Sequence, residues 1–404
     1  MNSKLIGGIL LVVGTSIGGG MLALPIAGAA GGFIYSSILL LFCWLAMTFA
    51  AFLILEINLW LPKNSNIISM AKKTLGNTGA IITWITYLLL LYSLLSAYIS
   101  GGGDILHGLL LAAGVNSASS LDACLFVLIL GFVVYKGVQS VDYVNRGLMF
   151  TKLGALLLLI ILMTPFIQVP DLSSGKAHLL LGSVMVMITS FGFATIVPSL
   201  RSYFHSDVTK LRRVIFIGSL IPLICYIIWD LAIMGTLPIA GPKGLVQMMT
   251  SGHSTTDLTT ALSVTLHSHT VTAITRLFTS ICMATSFLGV SLGLSDFLAD
   301  GFNMEKKGIN AVTIYGVTFL PPLAFVMYFH NAFIGGLNYA GICCVILLML
   351  LPALMIWQGR YKLKIAQGYE VVGGKVGIII LMIVSILLLI LSVQQTFASL
   401  LSSL

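Results

Sequence analysis

The chain has 404 residues, of which 58% are hydrophobic and only 8% charged. A soluble domain carries roughly 25% charged residues, so a water-soluble enzyme or carrier is excluded. The net charge of +8 is scattered along the chain rather than gathered into a groove with interleaved aromatics, which argues against a nucleic-acid partner.

Apolar runs long enough to cross a hydrocarbon core of about 30 Å recur throughout. Eleven spans are predicted, at 4–29, 33–60, 79–111, 120–136, 147–168, 178–203, 212–236, 270–298, 309–330, 333–357 and 374–398, in one domain without a linker. The first span is interrupted by Gly14-Thr15-Ser16-Ile17-Gly18-Gly19-Gly20, with Pro25 five residues on. Lys4, the apolar run and Ala27-Gly28-Ala29 also imitate a cleavable signal peptide, but cleavage would delete this interruption. The second span carries Glu56 near its inner end, a candidate for gating or ion coupling, and Trp60 at its boundary. The third holds Tyr92 and Tyr98, either of which can meet a ligand or pack in the bundle. Gly101-Gly102-Gly103-Asp104 near its outer end matches the motif of intramembrane aspartyl proteases. That chemistry needs a second carboxylate sharing a proton with the first, in a Tyr-Asp pair, and no Tyr-Asp dipeptide occurs in the sequence.

The sixth span repeats the pattern of the first, with Ser190-Phe191-Gly192-Phe193 interrupting it and Pro198 following. Asp230 lies deep in the seventh span, where a carboxyl is expensive to bury and suits proton uptake and release. The outer loop at 237–269 is polar, with His253, His267 and His269, and is predicted to fold partly as a helix over the outer mouth. In the eighth span Arg276 snorkels outward, Thr285 and Ser286 form a hydroxyl pair, and Asp296 and Asp300 approach the inner boundary. The six cysteines read as small buried hydrophobes without disulfide or metal spacing. No catalytic residue, metal site or cofactor is predicted.

Orientation follows from the basic residues. With a cytoplasmic N-terminus and a periplasmic C-terminus, 17 of the 20 fall on inner segments, Lys136, Arg146 and Lys152 among them. Lys176 and Lys243 lie outside, and Arg276 falls within a span. The first span then runs outward and the sixth inward, so 1–168 and 178–357 form two five-helix repeats of opposite orientation, each opening on a broken helix. The span at 374–398 is extra.

Lipid offers backbone N–H and C=O groups no partner, so an unwound stretch survives only where it is buried in protein or lines a cavity. Two breaks in matching repeat positions point to the midplane site of a secondary transporter. Half-helix N-termini favour a carboxylate and bare C-terminal carbonyls favour an ammonium group or cation, which suits a zwitterion. Thr15, Ser16, Gly18, Gly19, Gly20, Ser190, Phe191, Gly192, Phe193 and Tyr92 are the predicted substrate residues. Asp230, Glu56, Thr285 and Ser286 are the candidates for the coupling ion. A channel would want a continuous polar pore, and a membrane enzyme convergent polar or metal-binding groups; neither is visible.

The stretches GTSIGGGMLALP (14–25), TSFGFATIVPSL (189–200), ATSFLGVSLGLSDFLAD (284–300) and TFLPPLAFVMY (318–328) closely resemble the bacterial hydroxy/aromatic amino acid permeases, the tyrosine-specific branch most of all. The resemblance runs over essentially the whole chain. It implies the all-helical fold of the amino acid–polyamine–organocation superfamily, an inner-membrane location and proton-driven uptake of an aromatic amino acid, tyrosine before tryptophan or phenylalanine. In the broader superfamily a hydroxyl pair like Thr285 and Ser286 completes a sodium site, so sodium coupling stands as the alternative, as does another amino acid as substrate. Ala194 stands where many relatives carry His, and Asp230 where a neutral residue is expected. Besides substrate, proton and membrane lipid no partner is implied, and nothing in the sequence specifies an oligomeric state.

Overall fold

The computed structural model describes residues 3–403 apart from 64, 169–171, 173–174, 242–243 and 330; Lys243, assigned above to the outer side, lies outside the described residues. Among the described residues every regular element is helical. The first span is split into α1 (Ser3–Ser16) and α2 (Gly19–Gly28), followed by α3 (Gly32–Leu59), α4 (Ile67–Ala112), α5 (Ser119–Tyr135) and α6 (Val138–Met163). The sixth span consists of a 3-10 stretch at Ala177–Ser183, α7 (Val184–Ser190), a second 3-10 stretch at Gly192–Ile196, and α8 (Val197–Tyr203). Next come α9 (Val208–Met234), α10 (Ser254–Leu266) in the outer loop, α11 (His269–Gly301), α12 (Gly308–Tyr328), α13 (Ala332–Cys344) running on through α14 (Leu351–Trp357) to Lys362, and α15 (Gly374–Ser403).

Both expected interruptions are therefore real departures from helix. Gly18, between α1 and α2, has φ −155° and ψ −148°. Phe191, after α7, has φ −105° and ψ 26°. Pro198 falls in the first turn of α8, where its missing N–H costs nothing.

Two spans begin earlier than hydropathy suggests. α4 opens at Ile67, where the Asn66 side chain caps it by accepting the Ser69 N–H at 2.8 Å, and it bends at Gly76 (φ 77°), a left-handed conformation that suits glycine. Lys72 and Lys73 had made this first piece look like a loop. α6 likewise opens at Val138, after Gly137 (φ 99°) ends the turn from α5. Gln139, Asp142, Asn145 and Arg146 are thus helical, and Lys152 lies fourteen residues into the helix rather than at its inner mouth.

The broken helices form the centre of the bundle. α1 packs on α9, α2 on α7, and α13 on both α4 and α7, while α11 lies against α4 and α6. Every residue from Gly19 to Gly28 is buried. Peripheral helices turn large apolar side chains outward instead, such as Leu128 (70% exposed) on α5 and Leu320 (66%) on α12, as lipid contact requires.

At the end of the bundle expected to face inward, buried polar clusters tie the helices. Glu56, fully buried, accepts two bonds from Arg360 (2.7 and 2.6 Å) and one from the Val371 N–H (2.7 Å), so its carboxylate joins α3 to the end of the tenth span. The Arg201 guanidinium in the last turn of α8 donates to the Asn58 and Leu61 carbonyls. Asp296 pairs with Lys306.

At the opposite end, expected to face outward, α10 packs over the bundle against α4 and α11. Asp104 Oδ2 accepts the Thr255 hydroxyl and the Thr256 N–H at 2.5 and 3.0 Å, and Oδ1 lies 2.7 Å from His253 Nδ1. The protease-like motif thus supplies an anchor for the cap. Beside it, His107 Nδ1 lies 2.7 Å from Asp122 Oδ2, and the His107 and His253 rings stack 6.0 Å apart. The hydrogen bond to Asp104 raises the His253 imidazole above its ordinary value of 6.5; partial burial opposes this, and the charges of Asp104 and Asp257 add to it.

A raised value in the folded protein means that protonated His253 stabilises the cap fully below the unfolded value. That contribution fades as pH rises through the folded one. The titratable groups facing it are Asp104 and His107 on α4, Asp122 on α5 and Asp257 on α10. The thermal unfolding midpoint of the purified protein is expected to fall from mildly acidic to alkaline pH, and His253→Gln to flatten that fall. An unchanged slope in the variant would assign the pH dependence elsewhere.

Candidate functional site

A helix ending inside an apolar bundle leaves its last carbonyls and the first N–H groups of the next piece without intrahelical partners. At the carbonyl ends, two donors converge. The Tyr226 hydroxyl on α9 lies 2.6 Å from the Ser16 carbonyl, the last of α1, and 2.9 Å from the Ser190 carbonyl, the last of α7. One phenol proton therefore serves both broken spans. Lys152 Nζ on α6, almost wholly buried, donates to the Ile17 carbonyl at 2.6 Å and stands 3.4 Å from Thr285 Oγ1 on α11. Cationic and hydroxyl donors at the negative ends of half-helices are electrostatically favourable. At the opposite, N-terminal end of α2, the Gly19 N–H donates to Ser286 Oγ at 2.8 Å.

The glycines of the first break are explained by close approach. A Cβ on Gly18 would run into Ser286 Oγ of α11, and one on Gly19 would stand 2.7 Å from the Tyr98 ring of α4. On Gly20 it would stand 3.1 Å from Ser190 Oγ of α7. Three successive residues thus have α11, α4 and α7 in turn pressed nearest the missing side chain, with Met283 of α11 also close to Gly19. In the sixth span Phe191 and Phe193 are fully buried, and Phe191 lies against Tyr226 with ring centroids 5.3 Å apart. Ser190 Oγ bonds back to the Val186 carbonyl, whereas Thr189 Oγ1 reaches the Leu337 carbonyl of α13 at 2.9 Å. Gly192 is half-buried and Ala194 fully buried.

Not all the expected residues converge. Thr15 is exposed, and its hydroxyl bonds back to the Leu11 and Val12 carbonyls; Ser16 does the same to Val12. Tyr92 donates to the Val317 carbonyl of α12 at 2.7 Å, away from the breaks, while Tyr98 abuts Gly19. Six residues along a helix is a rotation of about 240°, so both tyrosines cannot face one site. Glu56 is consumed by the inner ion pair with Arg360. Asp230 is fully buried one turn beyond Tyr226, and among the described residues neither of its oxygens has a hydrogen-bond partner.

Lys152 and Tyr226 are missing from the residues read off the sequence. Lys152 was counted with the inner loop because α6 starts early; the signal that would have moved it is Gly137 as the start of a helix with polar residues in its first turns. Tyr226, set among isoleucines, looks like packing, and only tertiary contact distinguishes it.

Residues 1–392 match the tryptophan/tyrosine permease family. The chain is 34% identical over 392 residues to "Tyrosine-specific transport system 1" of Haemophilus influenzae, covering 96% of each chain. It is 32% identical over 402 residues to "Glutamine transporter 2" of Aliivibrio fischeri, covering 96% of this chain and 99% of the relative. Among solved structures, MhsT in complex with L-phenylalanine superposes with a TM-score of 0.67 at 15% identity, over 96% of this chain and 98% of that one. The likeness shows a shared fold: an all-helical inverted repeat of five and five spans, with broken first and sixth helices and an extra helix. The chain belongs to the tryptophan/tyrosine permease family, and it is a multi-pass membrane transporter rather than an enzyme.

Removing the Tyr226 hydroxyl leaves two buried carbonyls without their shared donor, a loss on the order of 1–3 kcal/mol. Tyr226→Phe is therefore expected to lower the unfolding midpoint and to impair transport more than Tyr92→Phe, whose hydroxyl bonds remote from the breaks. Equal effects on transport would remove Tyr226 from the site.

Proposed function

We propose that this permease imports an aromatic amino acid, tyrosine first, across a bacterial inner membrane, coupled to protons and by alternating access. The halves 1–168 and 178–357 rock about the broken helices, the helix at 374–398 stands outside the repeat, and the N-terminus is cytoplasmic with the C-terminus periplasmic. The observation that carries this reading is the meeting of both helix breaks at Tyr226, with Lys152 against the first of them. A substrate carboxylate would point to the N-termini of α2 and α8, and its ammonium group to the carbonyl ends of α1 and α7.

The relatives support an amino acid but divide on which. Tyrosine and glutamine transporters match almost equally well, so identity alone does not choose between them. Tyr98 and Phe191, aromatic faces beside the two breaks, favour an aromatic side chain. An apolar pocket separates a ring from its hydroxylated analogue by only about 10²-fold unless a polar group reads the hydroxyl. With Ala194 in place of a histidine, selectivity for tyrosine over phenylalanine would be loose.

For the driving ion, Lys152 favours protons over sodium. The Thr285 hydroxyl that a sodium ion would use already lies beside the ammonium, and the Ser286 oxygen accepts the Gly19 N–H. A second cation there would be repelled. Loss of the Lys152 charge would weaken its hold on the Ile17 carbonyl and free α1 to move against α11. Asp230, buried and unpartnered, is a second group able to carry a proton.

Counterflow in proteoliposomes tests the assignment. Labelled tyrosine should exchange against unlabelled tyrosine, and a competition panel should rank aromatic amino acids above glutamine, serine and branched aliphatics. Better competition by glutamine would overturn the substrate. Replacing sodium at fixed pH should leave uptake unchanged. Lys152→Met should abolish accumulation driven by a pH gradient while counterflow persists, and Asp230→Asn is the paired comparison. Gly20→Leu, which drives a side chain into Ser190, should abolish binding while insertion persists; wild-type binding would count against this site.

A further inference from the structure

Arg276 on α11 is the unusual arginine of this chain. Arg146 pairs with Asp142, Arg201 binds backbone carbonyls, Arg212 lies over the Tyr369 ring and Arg360 binds Glu56. Arg213, which is exposed, and Arg276, which is half-buried within a span, have no such partner among the described residues, and burial sets Arg276 apart. An arginine near a membrane boundary with no counter-charge in its own chain is free to meet an anionic group there.

Its surroundings are graded. Arg276 lines a crevice of about 320 Å³ together with Thr256, Thr259 and Thr260 of α10. Ile105 and Leu109 of α4 line this crevice and also a second one of about 180 Å³, whose walls include Phe126, Ile129 and Met283. The second crevice is almost wholly apolar and opens on the flank of the bundle, where Ile129 is 53% exposed and Leu109 39%. The first volume lies at the lower end of the range of ligand-sized clefts, roughly 300–1,000 Å³, and the second is a smaller slot, narrow enough for part of an acyl chain. The depth also fits a membrane boundary. α11 has 33 residues, a length of about 50 Å, against a hydrocarbon core of about 30 Å, and Arg276 is seven residues, about 10 Å, from its outer end.

We propose that these adjoining crevices bind one anionic phospholipid, of the outer leaflet in the orientation proposed above, its phosphate on Arg276 and Thr260 and an acyl chain between α4, α5 and α11. A guanidinium matches phosphate oxygens with paired donors, and the Thr260 hydroxyl extends the contact, since those of Thr256 and Thr259 already donate to the Asp104 and Thr255 carbonyls. The apolar crevice supplies what a free anion could not use. Because α10 also anchors to Asp104, an occupied site would brace the outer cap against the flank of the bundle.

Native mass spectrometry of the full chain, stripped of lipid and resupplied with equal phosphatidylglycerol and phosphatidylcholine, tests this. One phosphatidylglycerol should be retained in preference by about fivefold, as one basic side chain at a lipid surface supplies. Arg276→Gln should bring the two lipids to parity, Arg276→Lys should keep most of the preference, and Leu109→Trp, which fills the apolar crevice, should lose the retained lipid. A wild-type chain without preference, or an Arg276→Gln chain that keeps it, would overturn the proposal. So would inorganic phosphate raising the unfolding midpoint as much as phosphatidylglycerol does, since that describes an anion site without an acyl chain.

Discussion

Everything central in this protein depends on one constraint: a helix interrupted inside an apolar bundle must find partners for the backbone groups it frees. The first break meets it with groups from three other spans, the Tyr226 hydroxyl, the Lys152 ammonium and Ser286 Oγ. The sixth draws on the same tyrosine and folds its remaining residues into a 3-10 turn that keeps its own bonds. Neither break is loose chain. Each is held by contacts whose two sides belong to different helices, so moving one helix against another changes the bonding of the break itself.

The ends of the bundle are held differently. Inside, full charges are buried together, Glu56 with Arg360 and the Arg201 guanidinium on carbonyls, an arrangement that is costly to open because one partner alone leaves an uncompensated charge. Outside, the cap depends on Asp104, His253 and two threonines, a cluster of neutral and titratable groups at the water boundary. The cap cluster holds His253, whose raised imidazole makes it answer to pH.

Much of this was legible in the sequence because bilayer physics writes strong signals. All eleven spans coincide with helical segments, and both breaks fall where glycine and serine interrupt apolar runs. What failed to show was anything decided by which face of a helix meets which neighbour. Tyr92 and Tyr98 share a span and a residue type, yet the rotation between them sends one to α12 and the other to the break. Polar residues at the start of α6 concealed the true helix start and, with it, the depth of Lys152. Removing Lys152 from the inner tally leaves the charge asymmetry intact, which is why the topology reads the same with or without the error.

The three glycines of the first break carry a consequence for how this sequence can drift. Each has its missing Cβ against a different helix: Gly18 against Ser286, Gly19 against Tyr98, Gly20 against Ser190. Gly19 also faces Met283, which shares α11 with Ser286, so the first two ties converge on one helix while the third stands apart. A side chain at Gly18 or Gly19 therefore needs room made on α11 or α4, whereas one at Gly20 needs it on α7, and the motif behaves as linked positions rather than one word.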